Sequence, residues 1–199
     1  MRRPSLAAAL AGLAAVGTAC ADDPRQLVGF QGDSLPVVAT AELPDVASDG
    51  EPFEFVAPAG GLLVVYFGYT NCPDACPATL VEVKRALDEL GDEAADVEVA
   101  MVTIDPDRDA GVLAEYVASF VPDAHAVATD DIAALRRFAL GFGAEFNVDA
   151  RAGGNVVVEH TTYLYAVDDQ GRLVITWPTE TDADDLAADM RQLMDDLRA

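Results

Sequence analysis

Residues 62–67, LLVVYF, carry no charged side chain on either alternating face. A strand of this kind has to be covered on both sides, so it belongs at the centre of a sheet with other elements packed above and below it. Residues 97–104 form a second buried-strand pattern. Between the two, residues 77–90 place Leu80, Val83, Leu87 and Leu90 on one helical face. Strand, helix and strand in that order point to parallel strands joined by a crossover.

The alternation continues. Residues 109–120 read as a helix with Val112, Leu113, Tyr116, Val117 and Phe120 inward, 124–128 as a short strand, and 130–140 as a helix capped by Asp130. A short alternating strand at 53–56 precedes the first buried run. After an irregular insert over 141–154, residues 156–167 and 172–177 are β-rich and flank Asp168-Asp169-Gln170-Gly171, a hairpin signal. Residues 181–198 close the chain as an amphipathic helix. A parallel first half, an antiparallel hairpin and a final helix predict an α/β chain with a thioredoxin-like fold: a central mixed sheet flanked by helices.

The first twenty residues stand apart from this pattern. Arg2 and Arg3, an Ala/Leu-rich run over 6–16 and small residues before Cys20 have the layout of a secretory signal. The apolar run falls short of the roughly 20 residues needed to span a bilayer. Gly17-Thr18-Ala19-Cys20 resembles a bacterial lipobox, with Gly17 where a large aliphatic residue is usual. Lipidation of Cys20 is the expectation; cleavage near Ala21 or an uncleaved anchor are the alternatives. The expected organisation is a lipoprotein-type signal over 1–20, a tether and lead-in over 21–50, and one thioredoxin-like domain over 51–199. The protein is then exported and held by lipid at the outer face of the bacterial cytoplasmic membrane.

Charge narrows the partners. The 199 residues carry a formal net charge of −23, and loss of Arg2 and Arg3 would leave 10 basic against 35 acidic side chains. That excess argues against nucleic acid and against anionic lipid surfaces as ligands.

The chain has three cysteines. With Cys20 lipidated, Cys72 and Cys76 are the remaining sulfurs. They lie in YFGYTNCPDACPATL, where the first buried strand ends and a helix begins. In open α/β sheets ligand and catalytic groups gather at that edge. Pro77 fits a first helical turn and disfavours the α region for the residue before it. The helix is therefore expected to start at Pro77, with Cys76 as its N-cap and Cys72 on the preceding loop. The helix macrodipole would favour thiolate at both. Two such sulfurs can converge on one ion or join to each other. A third partner is available in His160, within VVVEHTTYLYAVD, near the start of the hairpin strand. His125 reads as a strand or loop residue with no special task, and Tyr163 and Trp177 as packing.

YTNCPDACP, then TIDPDRDAGVLAEYVASF, then VVEHTTYLYAVDDQGRL together resemble the Sco/SenC family of copper chaperones, over roughly residues 50–198. The resemblance implies copper held by Cys72, Cys76 and His160. It also implies a role in building the binuclear CuA centre of cytochrome c oxidase, with the oxidase's copper-bearing subunit and a copper donor protein as partners. Glu159 stands where an acidic residue, commonly Asp, precedes the histidine. The residue chemistry agrees: soft sulfur donors prefer Cu(I), an imidazole completes a low-coordinate site, and Cu(II) is admissible with a nitrogen donor. Structural zinc usually takes four protein ligands, and three are found.

A metallochaperone rather than an enzyme is thus expected. The alternative is a membrane-anchored thiol–disulfide oxidoreductase in which Cys72 attacks a partner disulfide and Cys76 resolves it, keeping partner cysteines reduced. A peroxiredoxin-like peroxidase fits poorly, because Thr70 lies two residues before Cys72 and Tyr69 takes the third place. Asp105 and Asp107 to Asp109 read as loop and helix-cap residues near the same end of the sheet, with Arg108 paired locally; support of the ligands from behind, or contact with a partner, is the alternative.

Overall fold

A computed structural model describes residues 25–109, 111–150 and 156–199. Fourteen segments organise these residues. They are β1 (Leu43–Asp45), β2 (Glu51–Phe53), β3 (Leu62–Gly68), α1 (Ala75–Leu90), β4 (Val97–Thr103), α2 (Pro106–Asp109) and α3 (Leu113–Ala118). They continue with β5 (His125–Val127), α4 (Ile132–Gly141), β6 (Phe146–Ala150), β7 (Val156–His160), β8 (Tyr163–Val167), β9 (Leu173–Pro178) and α5 (Ala183–Arg198).

The main sheet has seven strands in the order β2-β1-β5-β4-β3-β8-β9. Strands β3, β4 and β5 are mutually parallel, whereas β8 joins β3, β9 joins β8 and β1 joins β5 antiparallel. This is the thioredoxin-like mixed sheet that the element order predicts. The two apolar runs become neighbouring central strands, and their alternation splits the core into two layers. Leu62, Val64 and Tyr66 join Val99 and Met101 under α1 and α5. Leu63, Val65 and Phe67 join Ala100 and Val102 on the opposite face, under Phe138 and Phe142. A two-sided hydrophobic strand needs both layers to hide its side chains from water.

Several boundaries move. The helix expected over 109–120 is two pieces, α2 and α3, with Gly111 between them at φ 79°. That left-handed conformation interrupts a helix, and a glycine adopts it at little cost. The helix α4 is capped by Asp131 rather than Asp130, its side chain accepting from Ala134 N at 2.9 Å. The early strand is centred on residues 51–53 instead of 53–56. The β-rich stretch 156–167 divides into two strands of different sheets. Strand β8 pairs with β9 across the Asp168–Gly171 turn, while β7 pairs with β6 as a separate two-stranded sheet. The supposed insert over 141–154 therefore contains a strand. Local pattern could not show it, because β6 is specified by its partner β7.

The lead-in segment also packs on the fold. Phe30 and Val37 form bridges to Thr176 and Arg172 beside β9. Val28 and Gly29 donate backbone N–H to the buried Asp189 carboxylate of α5 at 2.9 and 3.0 Å, and Trp177 Nε1 donates to the same oxygen at 2.9 Å. Residues 1–24, and with them Cys20, lie outside the described residues.

Candidate metal centre

The cysteine loop leaves the carboxyl end of β3, beside that of β4. Tyr66 and Gly68 end β3, and Tyr69 to Asp74 form the turn into α1. The helix starts at Ala75, two residues earlier than expected, so Cys76 lies inside its first turn. Pro77 is tolerated there because the first turn's N–H groups have no helical acceptor. The nominal cap, Asp74, makes no side-chain capping bond. Instead Cys76 N donates to Cys72 Sγ at 3.2 Å, so a sulfur occupies the capping role.

Both thiols are free, Cys72 half-buried and Cys76 buried. Burial first, then the neighbouring Cys72 thiol, push the Cys76 thiol up to about 12. The expectation that the helix dipole would favour thiolate at Cys76 is thus reversed: loss of solvent outweighs the partial charge at the helix start. The buried Tyr66 hydroxyl donates to Cys76 Sγ at 3.3 Å.

Asp109 holds this loop in place. It is 1% exposed. Its carboxylate accepts from Thr70 N at 3.2 Å, from Thr70 Oγ1 and from Thr103 Oγ1. It thereby ties the residue two before Cys72 to the end of β4. The sequence reading made Asp109 a helix cap; only the fold shows that it is a buried tie between three segments. Asp105 pairs with Arg108 as expected. His125 accounts for itself structurally: Nδ1 lies 2.8 Å from Asp45 and its ring stacks on Phe53 at 4.2 Å.

His160 ends β7, opposite Phe146 of β6. Its Nδ1 lies 3.0 Å from the Thr161 carbonyl oxygen. A carbonyl only accepts, so Nδ1 carries the hydrogen, and Nε2 is left with its lone pair as a donor atom. Burial pushes the His160 pKa down, which favours the neutral imidazole.

Tyr69 links the histidine to the sulfurs, and sequence reading assigned it no role. Its ring meets the His160 ring edge-on, with centroids 5.9 Å apart at 86°. Burial, then the Cys72 and Cys76 sulfurs, push its phenol up. The Arg108 guanidinium lies 5.9 Å from the same ring. The structure brings Cys72 and Cys76 together and sets His160 against the aromatic ring beside them. Among the described residues, no three His, Cys, Asp or Glu side chains are gathered closely enough to hold a metal ion as they stand.

The donor set itself suits a soft ion: two thiols and an imidazole with one free nitrogen. His160 sits on β6–β7, which shares no ladder with the main sheet. Two-stranded sheets are marginal alone, and this one rests on side-chain packing by Phe146, Val148 and Val158. Moving it changes the distance from imidazole to sulfur without breaking the central sheet.

Comparison with known proteins agrees with this architecture. The family described as SCO1/SenC matches residues 42–195. An SCO2-like protein of Rickettsia prowazekii is 30% identical over 143 residues, covering 70% of this chain and 68% of its own length. The solution structure of apo Sco1 from Thermus thermophilus superposes with a TM-score of 0.70 at 28% identity, covering 83% of this chain and 96% of that one. ScoI of Bradyrhizobium japonicum, solved with copper bound, gives a TM-score of 0.65 at 25% identity, covering 81% and 98%. With the match running from β1 nearly to the end of α5, this chain belongs to the SCO1/SenC family.

Proposed function

We propose that this protein is a copper metallochaperone that delivers copper to the CuA centre of cytochrome c oxidase during assembly. Cys72, Cys76 and His160 would be its metal ligands. The observation that carries the reading is the pairing of two free thiols at the start of α1 with a histidine that packs on the Tyr69 ring, its Nδ1 occupied and its Nε2 without a hydrogen bond among the described residues. Family membership and the copper-bound Bradyrhizobium relative support it.

The cargo is Cu(I). Two thiolates and one imidazole form a low-coordinate soft site, and copper capture releases the thiol protons. Closing the set requires His160 to approach the sulfurs, since the three donors do not meet among the described residues as they stand. The receiving group is the copper-bearing subunit of the oxidase. The chain is tethered by lipid on Cys20, with residues 1–20 as the export signal; no helix among the described residues is long and apolar enough to cross a membrane. Thiol–disulfide exchange by the same two free cysteines is the alternative reading.

Titration of Cu(I) into the reduced protein against a competing chelator tests this. The chain should take one copper, and His160→Ala should weaken binding at least tenfold, about 1.4 kcal/mol. Unchanged affinity in that variant, with the dithiol still exchanging, would transfer the function to thiol–disulfide chemistry. Intact mass of the mature protein reads the lipid on Cys20 and the metal count together.

A further inference from the structure

Two phenol hydroxyls border the cysteine pair at a cost that packing does not explain. Tyr66 is fully buried near the end of β3, in the layer formed with Leu80, Met101 and Leu164. A phenylalanine would fill that space without desolvating a hydroxyl. The Tyr66 hydroxyl donates instead to Cys76 Sγ at 3.3 Å, although a neutral thiol sulfur is a weak acceptor. Tyr116 of α3 packs against the same layer, and its hydroxyl oxygen is buried with no hydrogen-bond partner among the described residues. A buried polar atom without a partner is uncommon in native proteins. Cys76 belongs to the layer against which Cys72 and Tyr116 both pack, and burial, then Cys76, Cys72 and Asp109, push the Tyr116 phenol up to about 12.

We propose that Tyr66 and Tyr116 are positioning residues for the metal, donating hydrogen bonds to the cysteine sulfurs when these are bound to copper. The inference rests on the copper reading above. A sulfur bound to metal carries far more negative charge than a neutral thiol, so both hydroxyls then meet a strong acceptor, and the unpartnered Tyr116 oxygen is explained. Hydrogen bonds to ligand sulfur draw electron density from it, and such bonds tune the potential of copper–thiolate and iron–sulfur centres. Here they favour Cu(I) over Cu(II), which suits a carrier of the monovalent ion.

The test loads the reduced full chain, and its Tyr66→Phe and Tyr116→Phe variants, with one equivalent of Cu(II). It reads the sulfur-to-copper charge-transfer band and the Cu(II)/Cu(I) midpoint potential. Each variant keeps the ring and loses only the hydroxyl, and far-UV circular dichroism checks that it folds. The band should move to longer wavelength and the potential should fall in each variant, with one copper retained per chain. A band and potential superposable on those of the unsubstituted chain, in either variant, would overturn that hydroxyl's assignment. Failure of the unsubstituted protein to take up one Cu(I) in the chelator titration would instead refute the copper reading, and this inference with it.

Discussion

Replacing Asp109 by alanine tests whether the cysteine loop is held from beneath. The carboxylate serves three donors, Thr70 N, Thr70 Oγ1 and Thr103 Oγ1, at a position 1% exposed. Alanine removes the acceptor and leaves those donors behind. A buried donor without a partner costs about 1–3 kcal/mol. Thr70 is half-buried, so water can satisfy part of the loss. Three donors stripped of their acceptor, one of them fully buried, together cost about 3–5 kcal/mol. With a urea slope of about 2 kcal/mol per molar, the unfolding midpoint should fall by about 2 M. Asp109→Asn keeps the shape and one acceptor oxygen and should lose about half as much. Because Thr70 lies two residues before Cys72, the alanine variant should also bind Cu(I) more weakly under conditions where it is still folded. A midpoint shift worth less than about 1 kcal/mol, together with unchanged copper affinity, would refute the claim that this carboxylate positions the loop.

Asp189→Ala strips the acceptor from Val28 N, Gly29 N and Trp177 Nε1 and the ion-pair partner from Arg25. It should cost about 3–5 kcal/mol, read by emission of the only tryptophan in the chain; a loss under about 1 kcal/mol would contradict the network. Stability of the reduced protein should also depend on pH at both ends. The folded Cys76 pKa is raised to about 12, so as pH rises above the ordinary thiol value near 9 the unfolded chain loses its proton first and the fold weakens. The folded His160 pKa is lowered, so as pH falls through its ordinary value near 6.5 the unfolded chain gains a proton first and the fold weakens there as well. Urea midpoints across pH should lose the slope that sets in near pH 9 in Cys76→Ala, leaving that of the raised phenols above about pH 10, and flatten between pH 7 and 5.5 in His160→Gln. Slopes that persist in these variants would assign the effect to other groups.

The central strands were legible because their composition admits one solution. LLVVYF cannot sit at a surface, and the neighbouring run and intervening helix leave little choice but a parallel pair. The cysteine pair was legible for a related reason: its place between a strand and a proline-marked helix start puts it at the sheet edge where loops converge. The helix start itself was misplaced by two residues. A proline favours the first helical position, but Cys72 Sγ accepts the Cys76 N–H and lets the helix begin earlier, at Ala75.

Residue order alone determined the α/β class, the thioredoxin-like succession of elements, and which side chains could act as soft donors. Those properties follow from hydrophobic period and ligand chemistry, both local to the chain. Tertiary structure decided everything that depends on distant segments meeting. It made Asp109 a buried tie, turned an apparent insert into the partner strand of β7, and set Tyr69 against both His160 and the sulfurs. It also raised the Cys76 pKa where the helix start alone argued for lowering it. The physical reason is the same in each case: burial and hydrogen-bond partnership belong to pairs of segments, and a linear pattern records only one member of each pair.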